Sequence, residues 1–416
     1  MLSEPNFPVR FSEFVGRRSE IDEFREALRH GLAAGRTSSF AILGEWGIGK
    51  SSLLWKFADL SSEPAFAMLP ICLSASTDIP DYLRFAEILL DKFAEALLSH
   101  PNMQCPWRTE LQDWRIKRAH LGAVAFERES PPRFLSTGST LLRHMLTEAW
   151  DHFLRPAGLK GAIFFVDDLQ NITSISKSDL ALILRDQFQW FGIEMLNYSM
   201  CFSAKADFFA GTKALADPAL RFYTKLYLEP FTFEEIVEYT RPVLDLPLDT
   251  AATVAAWLQE KTLGDPYFLA CVCKHLSATM SRIVPQTLER MWPAILGQLG
   301  RERFCQDLSR LSAKELELIH QFASLGDGEF APQRFGSPCS NHRADSISFT
   351  HCGSPLPLSI PYCHPSLTHD QNRGKRSACN RKNEMCRGRF LSPMLVVLRT
   401  HSPCPVCLQK GPVVIG

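Results

Sequence analysis

Short apolar runs alternate in the first half of the chain with stretches whose apolar residues recur at helical spacing. The runs suit strands that are buried on both faces of a parallel sheet. They are Phe40–Leu43, Met68–Leu73, Ala162–Val166 and Tyr198–Ser203. Helical spacing occurs at Ile21, Phe24, Leu28 and Leu32, and in the stretches Tyr82–Leu98 and Leu180–Phe191. The alternation predicts an α/β fold around a parallel sheet.

The second half of the chain keeps helical periodicity. Its helical segments are Ala251–Lys261, Pro266–Met280 and Thr287–Leu299, followed by a further helical stretch at Leu308–Leu325. These segments predict a small all-helical subdomain and the start of another domain. We place the α/β core at residues 1–230, the helical subdomain at 231–300 and the start of the next domain at 301–332.

One stretch of the core breaks the alternation. Between Cys105 and Ser139 the prolines Pro106, Pro131 and Pro132 lie amid mixed charge. We interpret this stretch as an insertion or long excursion.

The segment Gly44–Ser51 meets every position of the pattern G-x-x-x-x-G-K-[ST], between an apolar run and a helical stretch. Glycines let the backbone fold around a polyphosphate, so that N–H groups and a helix N-terminus point at the anion. Lys50 would reach the outer phosphates, and the Ser51 hydroxyl would ligate magnesium. The residues expected at the phosphates are Gly44, Glu45, Trp46, Gly47, Ile48, Gly49, Lys50, Ser51 and Ser52. The alternative is a chance match in a glycine-rich turn.

Two adjacent carboxylates, Asp167 and Asp168, end the apolar run that begins at Gly161. Ligands of open α/β sheets bind at the carboxyl ends of the strands. We therefore expect Asp167 to hold the magnesium ion and Asp168 to act with Lys50 in catalysis, by polarising an attacking water. The alternative is an Asp-Asp pair that only caps the following turn.

Two segments have the spacing of a capping box, in which a hydroxyl residue begins a helix and an acidic residue follows three positions later. Ser19 with Asp22 is expected to begin the first helix. Thr232 with Glu235 is expected to begin a later one.

The combination of segments resembles ATPases of the AAA-related STAND class, close to archaeal and origin-recognition-type ATP-binding proteins. Besides the glycine loop and the Asp-Asp strand, Phe14–Ile21 resembles the family's opening box. Leu263–Leu269 is similar to the G-N-P signature of a helical lid, with Asp265 where asparagine is usual. The likeness spans about residues 10 to 280 and implies that ATP and Mg²⁺ are bound. It adds to the nucleotide site the residues Val15, Gly16, Arg17 and Pro266.

The resemblance also implies further structure and further site residues. The helical subdomain would be a lid that closes over the nucleotide, and Leu308–Leu325 would open a partial winged-helix domain. Ser203 ends a strand that lies near the γ-phosphate in related folds, so it is either a phosphate sensor, with Lys205 as its neighbour, or a buried structural serine. Arg221 is either an arginine finger or a solvated surface residue.

The chain changes character after about Pro332. Residues 333–416 carry eleven basic and three acidic residues, so the formally neutral chain combines an acidic body with a basic tail. The tail is rich in Ser, Pro and Cys, and we expect it to be disordered. A zinc site built on Cys404 and Cys407 and a shifted reading frame are the alternatives.

Composition indicates an ordinary globular protein. Hydrophobic residues make up 45% of the chain, which is ample for ordinary cores. No secretory leader or membrane span is evident, so we expect a cytoplasmic protein.

Three functional hypotheses follow. The first is an ATP-hydrolysing switch whose lid movement regulates a partner, with DNA, a protein and a second copy of the chain all open as that partner. The second is a nucleotide-binding scaffold that does not hydrolyse ATP. The third is a small-molecule phosphotransferase.

Overall fold

The structure is a computed structural model that describes residues 14–102, 134–210, 217–279 and 285–301, with a few positions outside these ranges. The predicted tail, with Cys404 and Cys407, lies outside the described residues, as does most of the predicted winged-helix start. The chain forms two compact units. The first contains Met1–Val243 and Asp265–Ala270, and the second contains Leu244–Gly264 and Cys271–Gly416.

A parallel sheet of five strands forms the centre of the first unit. The strands are Ser39–Leu43 (β1), Met68–Ser74 (β2), Gly161–Asp167 (β3), Tyr198–Ala204 (β4) and Tyr223–Tyr227 (β5). They lie in the order β2-β3-β4-β1-β5, and each neighbouring pair is parallel. The predicted parallel α/β fold is therefore confirmed. The order places β1 between β4 and β5, so the loop after β1 lies between the ends of those two strands at the sheet's carboxyl edge.

Seven helices of the first unit surround this sheet within the described residues. They are Arg18–Ala33 (α1), Lys50–Ser61 (α2), Tyr82–Ser99 (α3), Phe134–Ala149 (α4), Lys177–Ile193 (α5), Asp217–Phe222 (α6) and Phe233–Val243 (α7). A π-helical turn, Trp150–Leu154, extends α4, and a short 3₁₀ turn, Leu169–Asn171, follows β3.

The stretch Cys105–Ser139, interpreted as an insertion or long excursion, rejoins the helical pattern of the core at Phe134, where α4 begins. Its residues Leu142, Met145, Leu146 and Ala149 recur at helical spacing and are buried in the core. The prolines that suggested an excursion all precede the helix.

Each face of the sheet has its own hydrophobic core. Along β3, Phe164 packs into the core that contains α3, α4 and α5, whereas Ile163 and Phe165 pack into the core that contains α1 and α2. On the second face the rings of Phe24 and Phe57 stack with their centroids 4.0 Å apart. Burial on both faces explains why the strands are continuous apolar runs.

The second unit is helical in its described part. It contains Leu248–Thr262 (α8), the part of Pro266–Thr279 (α9) that begins at Cys271, and Pro285–Leu299 (α10). The Trp257 indole donates to Glu289 Oε1 at 2.8 Å, and Lys261 pairs with the same carboxylate at 3.0 Å. The three helices predicted after residue 250 are thus observed. The predicted domain borders at 230, 300 and 332 stay predictions.

In the part of the chain that the structure describes, none of the helices combines the length and apolar character needed to cross a bilayer.

Candidate nucleotide-binding site

The loop Gly44–Gly49 joins the end of β1 to the start of α2 and depends on its glycines. Gly47 and Gly49 have φ angles of 85° and 97°, which side-chain-bearing residues rarely adopt. A Cβ atom at Gly47 would also lie 2.9 Å from Cβ of Tyr267. Gly49 immediately precedes α2, so the amide groups of the first helical turn begin at the loop. The backbone has the form of the predicted anion cradle.

Lys50 is held inside this loop. Its side chain is buried, and Nζ donates to the carbonyl oxygen of Glu45 at 2.7 Å. Burial lowers the pKa of Lys50 below its ordinary value, although the negative charges of Asp168, Glu45 and Asp167 oppose the shift. The ammonium group therefore lies close to both predicted carboxylates.

Ser51 and Asp167 meet across the site. Ser51 Oγ donates to Asp167 Oδ1 at 3.0 Å, and the buried Ser203 hydroxyl donates to the same carboxylate oxygen. Burial raises the pKa of Asp167, while hydrogen bonds from the two serines and the charge of Lys50 lower it and the charge of Asp168 adds to the rise. The predicted metal pair thus lies together at the carboxyl edge of the sheet. Its hydroxyl and carboxylate oxygens are the donor types that Mg²⁺ prefers.

Asp168 has an unusual backbone conformation. Its φ angle is 54° in the left-handed region, and its amide donates to Ser203 Oγ at 2.8 Å. Gln170 Nε2 donates to Asp168 Oδ1 at 2.9 Å. Gln170, in the 3₁₀ turn that follows β3, therefore orients the side chain of Asp168, the residue predicted to polarise the attacking water.

Arg17 connects the opening box to the glycine loop. Its guanidinium is buried, donates from Nη2 to the carbonyl oxygen of Ile48 at 3.0 Å, and lies 5.0 Å from the centre of the Phe231 ring. Burial lowers the pKa of Arg17, against the attraction of Glu20, Glu235 and Asp265. The box therefore contacts the loop itself.

The helix start at this box differs from the prediction. Arg17, with φ 57°, is the N-cap residue of α1 and provides no side-chain cap. Ser19 lies inside the helix and its hydroxyl donates to Glu20 instead. The Ser19–Asp22 capping box was therefore wrong, because α1 begins too early in the chain for Ser19 to cap it.

The second capping box is confirmed and has an added contact. Thr232 N–H donates to Glu235 Oε2 at 2.9 Å, and Glu235 N–H donates to Thr232 Oγ1 at 3.3 Å. The other oxygen of Glu235 accepts from the amide of Arg17 at 2.6 Å. Gly16 is needed at this point, since a Cβ atom there would lie 2.6 Å from that oxygen.

Tyr267, near the start of α9, lies against the tip of the loop. The rings of Tyr267 and Trp46 meet edge to face with centroids 4.7 Å apart. Asp265 Oδ1 accepts from the amides of Tyr267 and Phe268 at 3.0 and 3.1 Å and so caps α9. Burial raises the pKa of Asp265 to about 6, while those two amides and the charge of Arg17 oppose the rise.

For the other predicted site residues the structure gives the position and the solvent exposure. Val15, Ser52 and Pro266 are half-buried, whereas Glu45 is exposed. Lys205 is exposed but close enough to Lys50 for its charge to lower the pKa of Lys50. Arg221 is exposed on α6. Nucleotide contact by this set, a sensor role for Ser203 and a finger role for Arg221 stay predictions.

The sequence interpretation missed two site residues. Gln170 lies two positions after Asp168, and a tight turn brings its side chain back to the carboxylate. A polar residue at this spacing could therefore have been identified from the sequence. The contact between Glu235 and Arg17 had no local signal, because 218 positions separate the two residues.

The family comparison decides the class of the core. Residues 13–191 match the family model of the AAA ATPase domain. Over these residues the chain is similar to AAA-type P-loop ATPases. The expected resemblance to P-loop ATPases of the AAA type is thereby confirmed. No curated protein matched the chain significantly.

Several solved structures resemble the chain. The ORC2 protein of Aeropyrum pernix, in ADPNP and ADP complexes, is 12% identical, with a TM-score of 0.50 over 80% of each chain. The Walker-type ATPase of Pyrococcus abyssi is 16% identical, with a TM-score of 0.45 over 77% of this chain and 83% of its own. A STAND protein with a tetratricopeptide-repeat sensor from Pyrococcus horikoshii is 14% identical, with a TM-score of 0.36 over 79% of this chain and 37% of its own. The ORC2 likeness shows a shared fold.

Proposed function

We propose that the protein binds ATP with Mg²⁺ around Lys50, hydrolyses it slowly and acts as a switch toward a partner. The observation that carries the proposal is the 3.0 Å hydrogen bond between Ser51 Oγ and Asp167 Oδ1. It joins the helix after the glycine loop to the end of β3. The glycine loop that would bind the phosphates, the oxygens that would bind the metal ion and the catalytic carboxylate would thus form a single site.

Ser51 and Asp167 would hold the magnesium ion, which supplies charge neutralisation on the phosphates when it is bound. The hydroxyl of Ser203 keeps Asp167 Oδ1 turned toward Ser51. This fixed geometry means that the pair needs little rearrangement to receive the ion.

In the proposed reaction a water oxygen attacks the γ-phosphorus, and the bond from that phosphorus to the β–γ bridging oxygen breaks. The electron pair of the broken bond leaves with ADP. Asp168 accepts the proton that the water loses, and Lys50 attracts the outer phosphate oxygens. The low solvent exposure of Lys50 strengthens this attraction, since charges interact more strongly away from bulk water.

The switch is supported by the contacts of the loop tip. Trp46 and Gly47 lie against Tyr267, at the start of α9. A loop that tightens around phosphates would change this contact and move the start of the helix. We propose that the lid passes the change to DNA, to another protein or to a second copy of the chain, in the cytoplasm.

Phosphate release from the full chain, with ATP and Mg²⁺, tests hydrolysis. We expect Asp168→Asn to lower turnover by about 100-fold or more while ATP still binds. Asp186→Asn, on the exposed side of α5, is the matched control and should keep full turnover. ATP binding without any turnover in the unmodified protein would favour the scaffold. Phosphate transfer to a metabolite would favour the phosphotransferase.

A further inference from the structure

Gln170 has a hydrogen-bonding arrangement that the reaction described above leaves unexplained. Its Nε2 donates to Asp168 Oδ1 at 2.9 Å. Its Oε1 is buried and finds no hydrogen-bond donor among the residues that the structure describes. A buried acceptor without a donor destabilises a folded protein, so such an atom calls for an explanation.

The orientation of the amide follows from its partner. If the Gln170 amide were flipped, its oxygen would face the carboxylate of Asp168 and two acceptors would meet. The donor half must therefore face Asp168. Because Nε2 and Oε1 of Gln170 are bonded to the same carbon atom, the unpaired Oε1 also lies close to the Asp168 carboxylate.

The backbone leaves the Asp168 and Gln170 pair little freedom to move. The backbone N–H of Asp168 donates to Ser203 Oγ at 2.8 Å, and the backbone N–H of Asn171 donates to the carbonyl oxygen of Asp168 at 2.8 Å. Leu169, between the two polar residues, is fully buried and anchors the 3₁₀ turn. The turn thus presents a carboxylate and an amide oxygen as a fixed pair of acceptors.

We propose that Gln170 is a positioning residue for hydrolysis: Nε2 orients the carboxylate of Asp168, and Oε1 accepts a hydrogen bond from the attacking water. The inference rests on the proposed ATPase function. A water with two O–H groups would then donate one to Asp168, which takes the proton, and the other to Gln170, which takes none. Two acceptors at fixed positions define the direction of the oxygen lone pair toward the γ-phosphorus.

The test compares Gln170→Met, which removes both halves of the amide, with Gln170→Glu, which keeps the shape but removes the donor. In the full chain, both variants should lower kcat by about 10- to 100-fold and leave the affinity for ATP within about twofold. Gln189→Met, on an exposed position of α5, should change neither quantity.

A second readout does not depend on turnover. Affinity for ADP with aluminium fluoride and Mg²⁺, which mimics the transferring phosphate, should fall by about the same factor as kcat. In an Asp168→Asn background, Gln170→Met should have little further effect, because the two residues act as one unit. Additive losses, or unchanged kcat in both Gln170 variants, would overturn the inference. Absence of turnover in the unmodified protein would instead overturn the proposed hydrolysis.

Discussion

The guanidinium of Arg17 donates a hydrogen bond to the carbonyl oxygen of Ile48, so the start of α1 is tied to the glycine loop 31 positions further along the chain. The same residue lies over the ring of Phe231, and its amide is bound by Glu235. Arg17 therefore links three separate segments of the first unit. Its rigid, planar group suits such a link better than an ammonium would.

Replacing Arg17 by lysine tests this link. The lysine keeps the charge but cannot reproduce the fork geometry, so Ile48 loses its donor and the loop loosens. We expect Arg17→Lys to weaken ATP binding by about tenfold, measured by titration with a fluorescent ATP analogue. Arg18→Lys is the control, because the side chain of Arg18 is exposed and pairs with Glu238 away from the loop. Equal affinity in both variants would show that the link is not needed for binding.

Two buried serines give a matched pair for stability. Ser203→Ala removes a donor from Asp167 and leaves the Asp168 amide without its acceptor. We expect a loss of about 1–3 kcal/mol of stability. Ser61→Ala should cost less than about 0.5 kcal/mol, because the Ser61 hydroxyl donates to Ala58 within its own helix. Urea unfolding followed by circular dichroism measures both, and equal losses would contradict the role assigned to Ser203.

The raised pKa of Asp265 implies that the stability of the protein depends on pH. Its pKa of about 6 exceeds its ordinary value of 3.8, so the folded protein holds a proton that the unfolded chain releases between these values. The stabilising contribution of that proton is complete below pH 3.8 and is lost as pH rises through about 6. An asparagine side chain in place of this carboxyl group would show no such loss but would still cap α9.

Asp265→Asn should therefore be more stable than the unmodified protein above pH 6, by at most about 2 kcal/mol for this half-buried residue. Below about pH 4 the difference should vanish. Thermal unfolding midpoints of the two proteins, measured from about pH 4 to pH 8, test this expectation. A difference that stays constant across the range would contradict it.

Trp46 should report nucleotide binding. Its side chain is 46% exposed at the tip of the loop and touches Tyr267, so phosphates in the loop should change its surroundings. We expect ATP to shift the tryptophan fluorescence of the protein, and Trp46→Phe to remove most of the shift. Trp190→Phe, which alters an indole on α5 that stacks with Arg143, should retain the shift. A full shift in Trp46→Phe would place the response elsewhere.

The sequence predicts the sheet, the loop and the acidic pair because each depends on local patterns. Continuous apolar runs indicate strands such as β3, and the carboxyl ends of parallel strands bring Asp167 to the loop. The helix start at Arg17 was mispredicted because its left-handed conformation accompanies the contact with Glu235, which is remote in sequence. The orientation of Gln170 likewise depends on the tight turn that follows Asp168. Local periodicity carries no information on such contacts.

The most direct test of the account is ATP binding by Lys50→Ala, measured by calorimetry with Mg²⁺ present. Lys50 is buried among the loop carbonyls and carboxylates, and its loss should weaken binding by about 100-fold or more, whereas Lys92→Ala, on the exposed side of α3, should bind normally. Full affinity in Lys50→Ala would contradict the assignment of this site to the phosphates of ATP.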